Sequence, residues 1–209
     1  MRNPRAGCAR KVSPGVQRCP RRYFALNGSG HADAAHARPM NSEAGSISIR
    51  SAALADLPAI ASLAEVIWRR HYPGIITVAQ IDYMLARMFA PDEMARQLAA
   101  GTVYEQLLLD GRLIGFAAHG LSADPAERRL DKLYVLVEFQ RRGHGGMLLR
   151  HVMEAARRLG CTRLTLTVNK RNRNAIAAYQ KNGFDIRESV VVDIGGGFVM
   201  DDFVMSRRL

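Results

Sequence analysis

The chain has 209 residues, 48% of them hydrophobic and 23% charged, which fits one globular domain and is too short for two large ones. Its net charge of +11 invites a nucleic-acid reading, yet residues 1–39 hold eight basic residues against one acid, Asp33, and so account for +7 of it. The remainder, +4 over residues 40–209, argues against a nucleic-acid partner; any such binding is expected to vanish when residues 1–39 are removed. Three cysteines, Cys8, Cys19 and Cys161, make no disulfide framework. No stretch reaches the roughly 18 apolar residues of a membrane span, and no apolar segment of a secretory signal follows Met1. A cytoplasmic protein without a membrane partner is the expectation.

Residues 1–45 are rich in Pro, Gly, Ser and Arg without periodicity and read as a disordered basic extension, with Met40 as an alternative start. Residues 46–209 read as the folded domain. Ile47 and Ile49 begin a strand running toward Ala53. Asp56 is placed to cap a helix with Pro58 in its first turn, and Ile60, Leu63, Ala64, Ile67 and Trp68 follow at helical spacing. Pro73-Gly74 breaks the chain before helical stretches at Ala79–Met88 and Pro91–Ala100. Gln106–Leu109 and Leu113–Ala118 flank Asp110-Gly111, the signature of a type I′ hairpin.

Pro125 marks a loop, Leu130–Val137 a strand, and Gly143–Leu159 a helix stopped by Gly160. Leu164–Val168 is a buried strand, and Asn172–Asn182 a short helix ended by Gly183. Two last strands, Ile186–Ile194 and Phe198–Ser206, are joined by Gly195-Gly196-Gly197. This order predicts an α/β (α+β) fold with a mixed, mostly antiparallel twisted sheet of six to seven strands and helices on both faces.

The most informative segment is Gln140-Arg141-Arg142-Gly143-His144-Gly145-Gly146, a glycine-rich turn between strand and helix. Unpaired N–H groups and the dipole make such a helix entrance an anion site. Glycine lets a ligand approach the backbone and permits positive φ, and Arg141 and Arg142 add charge. A nucleotide P-loop would need Gly-Lys-Ser/Thr after Gly145, where Gly146-Met147-Leu148 stands. A dinucleotide fingerprint would need glycine in place of Leu148. A bare glycine turn without ligand is the plain alternative.

The stretch from Leu133-Tyr134-Val135 to Gly146 resembles the acyl-CoA motif of the GCN5-related N-acetyltransferases, Gln/Arg-x-x-Gly-x-Gly/Ala. A second motif of that family follows at Asn172-Arg173-Asn174-Ala175, Tyr179 and Gly183-Phe184. The resemblance spans about Ser46 to Leu209 and implies the acyl-CoA N-acyltransferase fold, with acetyl-CoA as cosubstrate and no metal. It implies that Leu133, Tyr134 and Val135 offer backbone groups to the pantetheine arm. By the same likeness, Gln140 to Gly146 hold the pyrophosphate and Asn172 bonds the cofactor. Tyr179 then protonates the departing thiolate as general acid.

Val137 stands where the family usually has proline. Trp68, His71 and Tyr72 fall where the family borders its acceptor site, and a homodimer through the C-terminal strands is common among its members.

Direct attack by an amine on the thioester needs no enzyme nucleophile, and Cys161 reads as a small residue after a helix stop rather than as one. Asp131 and Glu105 are the candidates for a general base, Asp131 being the one named; each can equally be a solvated strand-end acid. His144 is expected to act through its backbone N–H. The six histidines show no metal-ligand spacing. The implied function is acetyl transfer to a primary amine, either a small molecule such as a polyamine or a peptide amine. Glu65, Asp82, Asp201 and Asp202 are the acids available to line a polyamine pocket. A non-catalytic acyl-CoA sensor is the alternative, separated by thiol release on a panel of amines.

Overall fold

Seven strands and five helices follow one another along residues 45–209, the part that the computed structural model describes. The extension expected over residues 1–45 falls outside them except for Gly45. In chain order they are β1 (Ile47–Ser51), α1 (Leu57–His71), α2 (Val78–Met88), α3 (Pro91–Ala99), β2 (Val103–Leu109), β3 (Arg112–Leu121), β4 (Glu127–Val135), α4 (His144–Arg158), β5 (Arg163–Asn169), α5 (Arg173–Lys181), β6 (Asp185–Gly195) and β7 (Phe198–Arg208). The strands form one sheet in the order β1-β2-β3-β4-β5-β7-β6. Every pairing is antiparallel except β4 with β5.

Each face of the sheet carries its own apolar layer. On one, Ile60, Ile67 and Trp68 of α1 and Ile81 and Met84 of α2 bury against Tyr104, Phe116 and Ala118. On the other, Leu148, Leu149, Val152 and Met153 of α4 pack on Leu107, Ile114, Leu130 and Leu164. The helical spacing of these apolar residues and the two-residue alternation of the strands decide this arrangement. Lys132 and Tyr134 point to the first layer while Leu130, Leu133 and Val135 join the second.

That switch of parity inside β4 has a cause. Ala118 and His119 are neighbours on β3 but pair with Lys132 and Leu130, so Asp131 is the extra residue of a β-bulge. Bulges bend a strand and sharpen its twist. The bend falls where the parallel pairing of β4 and β5 stops, since Leu130↔Leu166 is its last register pair. Beyond it β4 and β5 part.

Most expected elements are present, with two corrections. The strand placed at Leu130–Val137 runs from Glu127 to Val135, and residues 137–139 form a 3-10 turn closed by Phe139 N–H on Leu136 O at 2.9 Å. Its start was hidden by charge: Arg128 is buried and donates from Nε to His119 Nδ1 at 3.0 Å. Asp56 makes no cap bond to α1; its carboxylate accepts from Ala53 N–H at 2.9 Å and is gripped by Arg50. The Asp110-Gly111 turn has φ of 50° and 78°, as a type I′ turn demands.

Candidate active site

The loop after β4 reverses into α4 through two residues of positive φ, Arg141 at 61° and the N-cap Gly143 at 87°. Glycine suits the second position without cost, whereas a left-handed arginine is uncommon. The turn fans its amides outward. Met147 N–H makes the first bond of α4, to Gly143 O at 2.9 Å. The six N–H groups from Arg141 to Gly146 have no acceptor among the described residues.

Packing does not explain the glycine at 145. A Cβ there would meet Leu133 and Val135 at 3.9 and 4.0 Å, ordinary contact distances. The space over Gly143 is open as well. An unpaired helix entrance with two adjacent arginines and open backbone fits a diphosphate by charge and by donor count. Gln140 and His144 brace the turn from inside: Gln140 Nε2 donates to Val135 O at 2.9 Å, and His144 Nδ1 lies 3.0 Å from Phe139 O. Arg142 stacks over Phe139 at 5.7 Å.

The parting of β4 from β5 leaves a free strand edge beside this turn. Leu136 N–H bonds Ile114 O of β3 at 2.9 Å, and strand alternation then turns the backbone of Tyr134 to β3 and that of Leu133 and Val135 to the gap. Of the three residues expected to meet a pantetheine arm, Leu133 turns its backbone groups to the gap and Val135 its N–H, its carbonyl being taken by Gln140. Tyr134 contributes its phenol side instead. A cleft of about 1030 Å³ runs from Gly143, Gly145 and Gly146 through this gap to Tyr72, Met84 and Asp202 on the α1–α2 side. It connects the two faces of the sheet.

Tyr179 stands on α5 at this passage, its ring 5.7 Å from that of Phe184. Its hydroxyl has no hydrogen-bond partner among the described side chains, and burial raises its pKa well above the ordinary phenol value. The phenol thus keeps its proton at neutral pH until a stronger base forms beside it. Tyr72 and Tyr134 are raised in the same way by burial, and the field of Tyr72 reaches both Tyr179 and Tyr134. Tyr72 also rests on Trp68, with ring centroids 4.4 Å apart. Trp68, expected at the acceptor border, is 2% exposed and serves mainly as the floor under Tyr72 and Tyr134.

Asn172 is buried and engaged by the protein on both ends. Its Oδ1 accepts from Ala175 N–H at 3.3 Å as the N-cap of α5, which leaves Nδ2 facing His71 Nε2 at 3.1 Å. The cap fixes which end of the amide is which, so His71 Nε2 is the acceptor and the proton sits on Nδ1. Burial lowers the pKa of His71. A carbonyl in the place of Nδ2 would favour the charged ring, but the cap holds the oxygen at Ala175. His71 is therefore a neutral histidine at the cleft wall.

The acids sort sharply. Asp131 lines the cleft, but its Oδ1 is ion-paired to Arg129 Nε at 2.5 Å. Glu105 is buried under α4, outside the cleft, beside Ser51, His119 and His151. Glu65 and Asp82 both bind Arg69, at 2.9 and 2.8 Å, and Asp201 pairs with Lys170. Only Asp202 among the four acids considered for a polyamine pocket lines the cleft. It is 5% exposed, its Oδ1 has no hydrogen-bond partner, and burial, aided by Asp201, pushes its pKa up to about 6. Sequence reading placed Asp202 level with Glu65, Asp82 and Asp201 as an acid for a polyamine pocket, because two adjacent aspartates look alike until the strand turns one outward and the other in. The one available signal was its alternation with Met200 and Val204.

The fold and the cleft define an acyltransferase. Residues 62–184 match the family described as Acetyltransferase (GNAT), and the chain belongs to that family. It is 25% identical to a spermidine N(1)-acetyltransferase of Thermoplasma acidophilum over 75% of this chain and 96% of that protein. It is 38% identical to the [ribosomal protein bS18]-alanine N-acetyltransferase of Salmonella typhimurium over 38% of this chain and 53% of that one. Its fold matches the PaiA N-acetyltransferase of Thermoplasma acidophilum, solved with coenzyme A, with a TM-score of 0.66 and 24% identity, over 78% of this chain and 99% of that one. Among the described residues no helix is long and apolar enough to cross a membrane.

Proposed function

We propose that the chain transfers an acetyl group from acetyl-coenzyme A to a primary amine by direct attack within a ternary complex. The observation that carries this reading is the row of six unpaired N–H groups, Arg141 to Gly146, opening beside the free edge of β4 and the Tyr179 phenol. The amides hold the pyrophosphate, and Leu133 and Val135 extend their backbone to the pantetheine arm as an added strand would. Arg141 and Arg142 supply charge at the same anion.

The thioester thereby comes to rest at the gap, between the two faces of the sheet. The amine enters from the α1–α2 face and attacks the carbonyl carbon; the carbon–sulfur bond breaks and the electron pair leaves with sulfur. Tyr179 gives its phenolic proton to that sulfur. Cys161 supports an attack without a covalent enzyme intermediate, since it lies at the start of β5 near Pro125, away from the cleft.

Tyr179→Phe tests the role. The variant is expected to bind coenzyme A as the wild type does, with turnover lower by about 10²-fold, the low end of general-acid effects. Initial-rate lines against both substrates should intersect. Equal turnover in Tyr179→Phe removes the tyrosine from the chemistry, and parallel lines remove the ternary complex.

A further inference from the structure

We propose that Asp202 docks the acceptor nitrogen and takes its proton, and that the acceptor is an amine with one positive charge on an apolar or aromatic body rather than a polyamine. This deepens, and rests on, the acetyl-transfer reading above. Asp202 sits on the α1–α2 face of β7, directly paired in register with Asn169 of β5, at the acceptor end of the cleft. One of its carboxylate oxygens has no partner although the group is 5% exposed. A buried acceptor left unsatisfied costs free energy in the empty protein. An incoming ammonium cancels that cost.

The groups facing it are few. Asn169 is its register partner and favours its charged form, Lys170 and Asp201 pair with each other at the strand end, and Tyr72 lines the same cleft, perturbed by Asp202 and perturbing Tyr179.

Most of the rest of the acceptor wall is apolar. Trp68, Tyr72, Ile76, Met84, Met88 and Met200 line it, and methionines adapt to flexible apolar shapes. A second ammonium would find no free carboxylate there, because Asp131, the other acid of the cleft, is ion-paired to Arg129, and Glu65 and Asp82 are outside and bound to Arg69. It would instead meet Lys132, a buried cation at the same wall. An unpaired buried charge is strongly disfavoured, so a polyamine is a poor fit and an arylalkyl or alkyl monoamine a good one.

The step balances as follows. The ammonium gives one proton to the Asp202 carboxylate and becomes the nucleophile. Its lone pair forms the bond to the thioester carbon as the carbon–sulfur bond breaks, and sulfur receives the Tyr179 proton. The second proton leaving nitrogen restores the phenol, and Asp202 returns its proton to solvent.

The test uses the full chain with acetyl-coenzyme A and follows thiol release on 2-phenylethylamine and on spermidine. The expected kcat/KM is at least about 10-fold higher for 2-phenylethylamine. In Asp202→Asn, turnover of 2-phenylethylamine is expected to fall by about 10²-fold or more while coenzyme A affinity, read by calorimetry, stays within about twofold. Met200→Glu, which adds an acid to the wall, should narrow or reverse the preference against spermidine. A wild-type preference for spermidine overturns the acceptor class, and full turnover in Asp202→Asn overturns the docking role. Turnover of neither amine with coenzyme A bound overturns the proposal while leaving the cofactor site standing. Loss of coenzyme A binding in the wild type would sink the underlying acetyl-transfer reading as well.

Discussion

Two carboxylates are buried in this sheet, Glu105 of β2 and Asp202 of β7, at 4% and 5% exposure, and the protein treats them in opposite ways. Glu105 Oε2 accepts from Ser51 Oγ at 3.1 Å, and His151 Nε2 and His119 Nε2 lie 3.3 and 3.7 Å from its Oε1. Burial opposes its charge, yet these partners together hold its pKa below the ordinary carboxylate value. Asp202 has an oxygen without a partner and a pKa pushed up. The first acid ties β1, β2, β3 and α4 together under the core. The second opens into a cleft. A buried acid that the fold has satisfied is structure; one that the fold has left unsatisfied at a cleft wall awaits a ligand.

The largest expected effect that separates them is on turnover. Asp202→Asn should lower it by about 10²-fold or more, whereas Glu105→Gln should leave turnover per folded molecule near the wild-type value. Initial rates normalised to coenzyme A-binding sites measure this, and equal losses in both variants would erase the contrast.

Stability should move the other way. Glu105→Gln is expected to cost about 1–2 kcal/mol at neutral pH, because a charged acceptor loses its partners' bonds. Asp202→Asn should gain stability there. The sign follows from linkage: the native state holds the Asp202 proton up to about pH 6, against 3.8 for the ordinary side chain. Stability therefore falls as pH rises through that window, and the penalty is complete above it. For Glu105 the contribution is present above its ordinary pKa and is lost as pH falls through the lowered native value. Denaturant melts of both variants at pH 5 and pH 7.5 check this, and a destabilised Asp202→Asn at pH 7.5 would break the account of that residue.

A smaller effect belongs to Asn172. Asn172→Ala removes the cap of α5, worth about 1 kcal/mol, and releases His71 Nε2. The His71 titration, followed by NMR, should then move upward. An unchanged His71 would mean that the contact at 3.1 Å does not hold the ring neutral.

Much of this could be read from the chain. Apolar spacing located the helices, Asp110-Gly111 fixed the hairpin, and the two motifs at Gln140–Gly145 and Asn172–Phe184 marked the loop and the tyrosine. What escaped was whatever depends on distant partners. Arg128 reads as an exposed strand-end charge until His119 accepts from it across β3. The bulge at Asp131, which opens the gap, has no local signature. Glu105 and Asp131 both looked like candidates for a base, Asp131 being the one named, and neither is free: one is enclosed by histidines and the other held by Arg129. Asp202 gained its place only through the register of β7 against β5.

The central claim is that unpaired amides at the head of α4 bind a diphosphate and so set the thioester at Tyr179. Calorimetric titration with coenzyme A and with pantetheine, which shares the arm but lacks the pyrophosphate, tests it directly. The claim predicts measurable binding of coenzyme A and at least about 100-fold weaker binding of pantetheine, which is about 2.7 kcal/mol. Equal affinities, or no binding of coenzyme A, would contradict it.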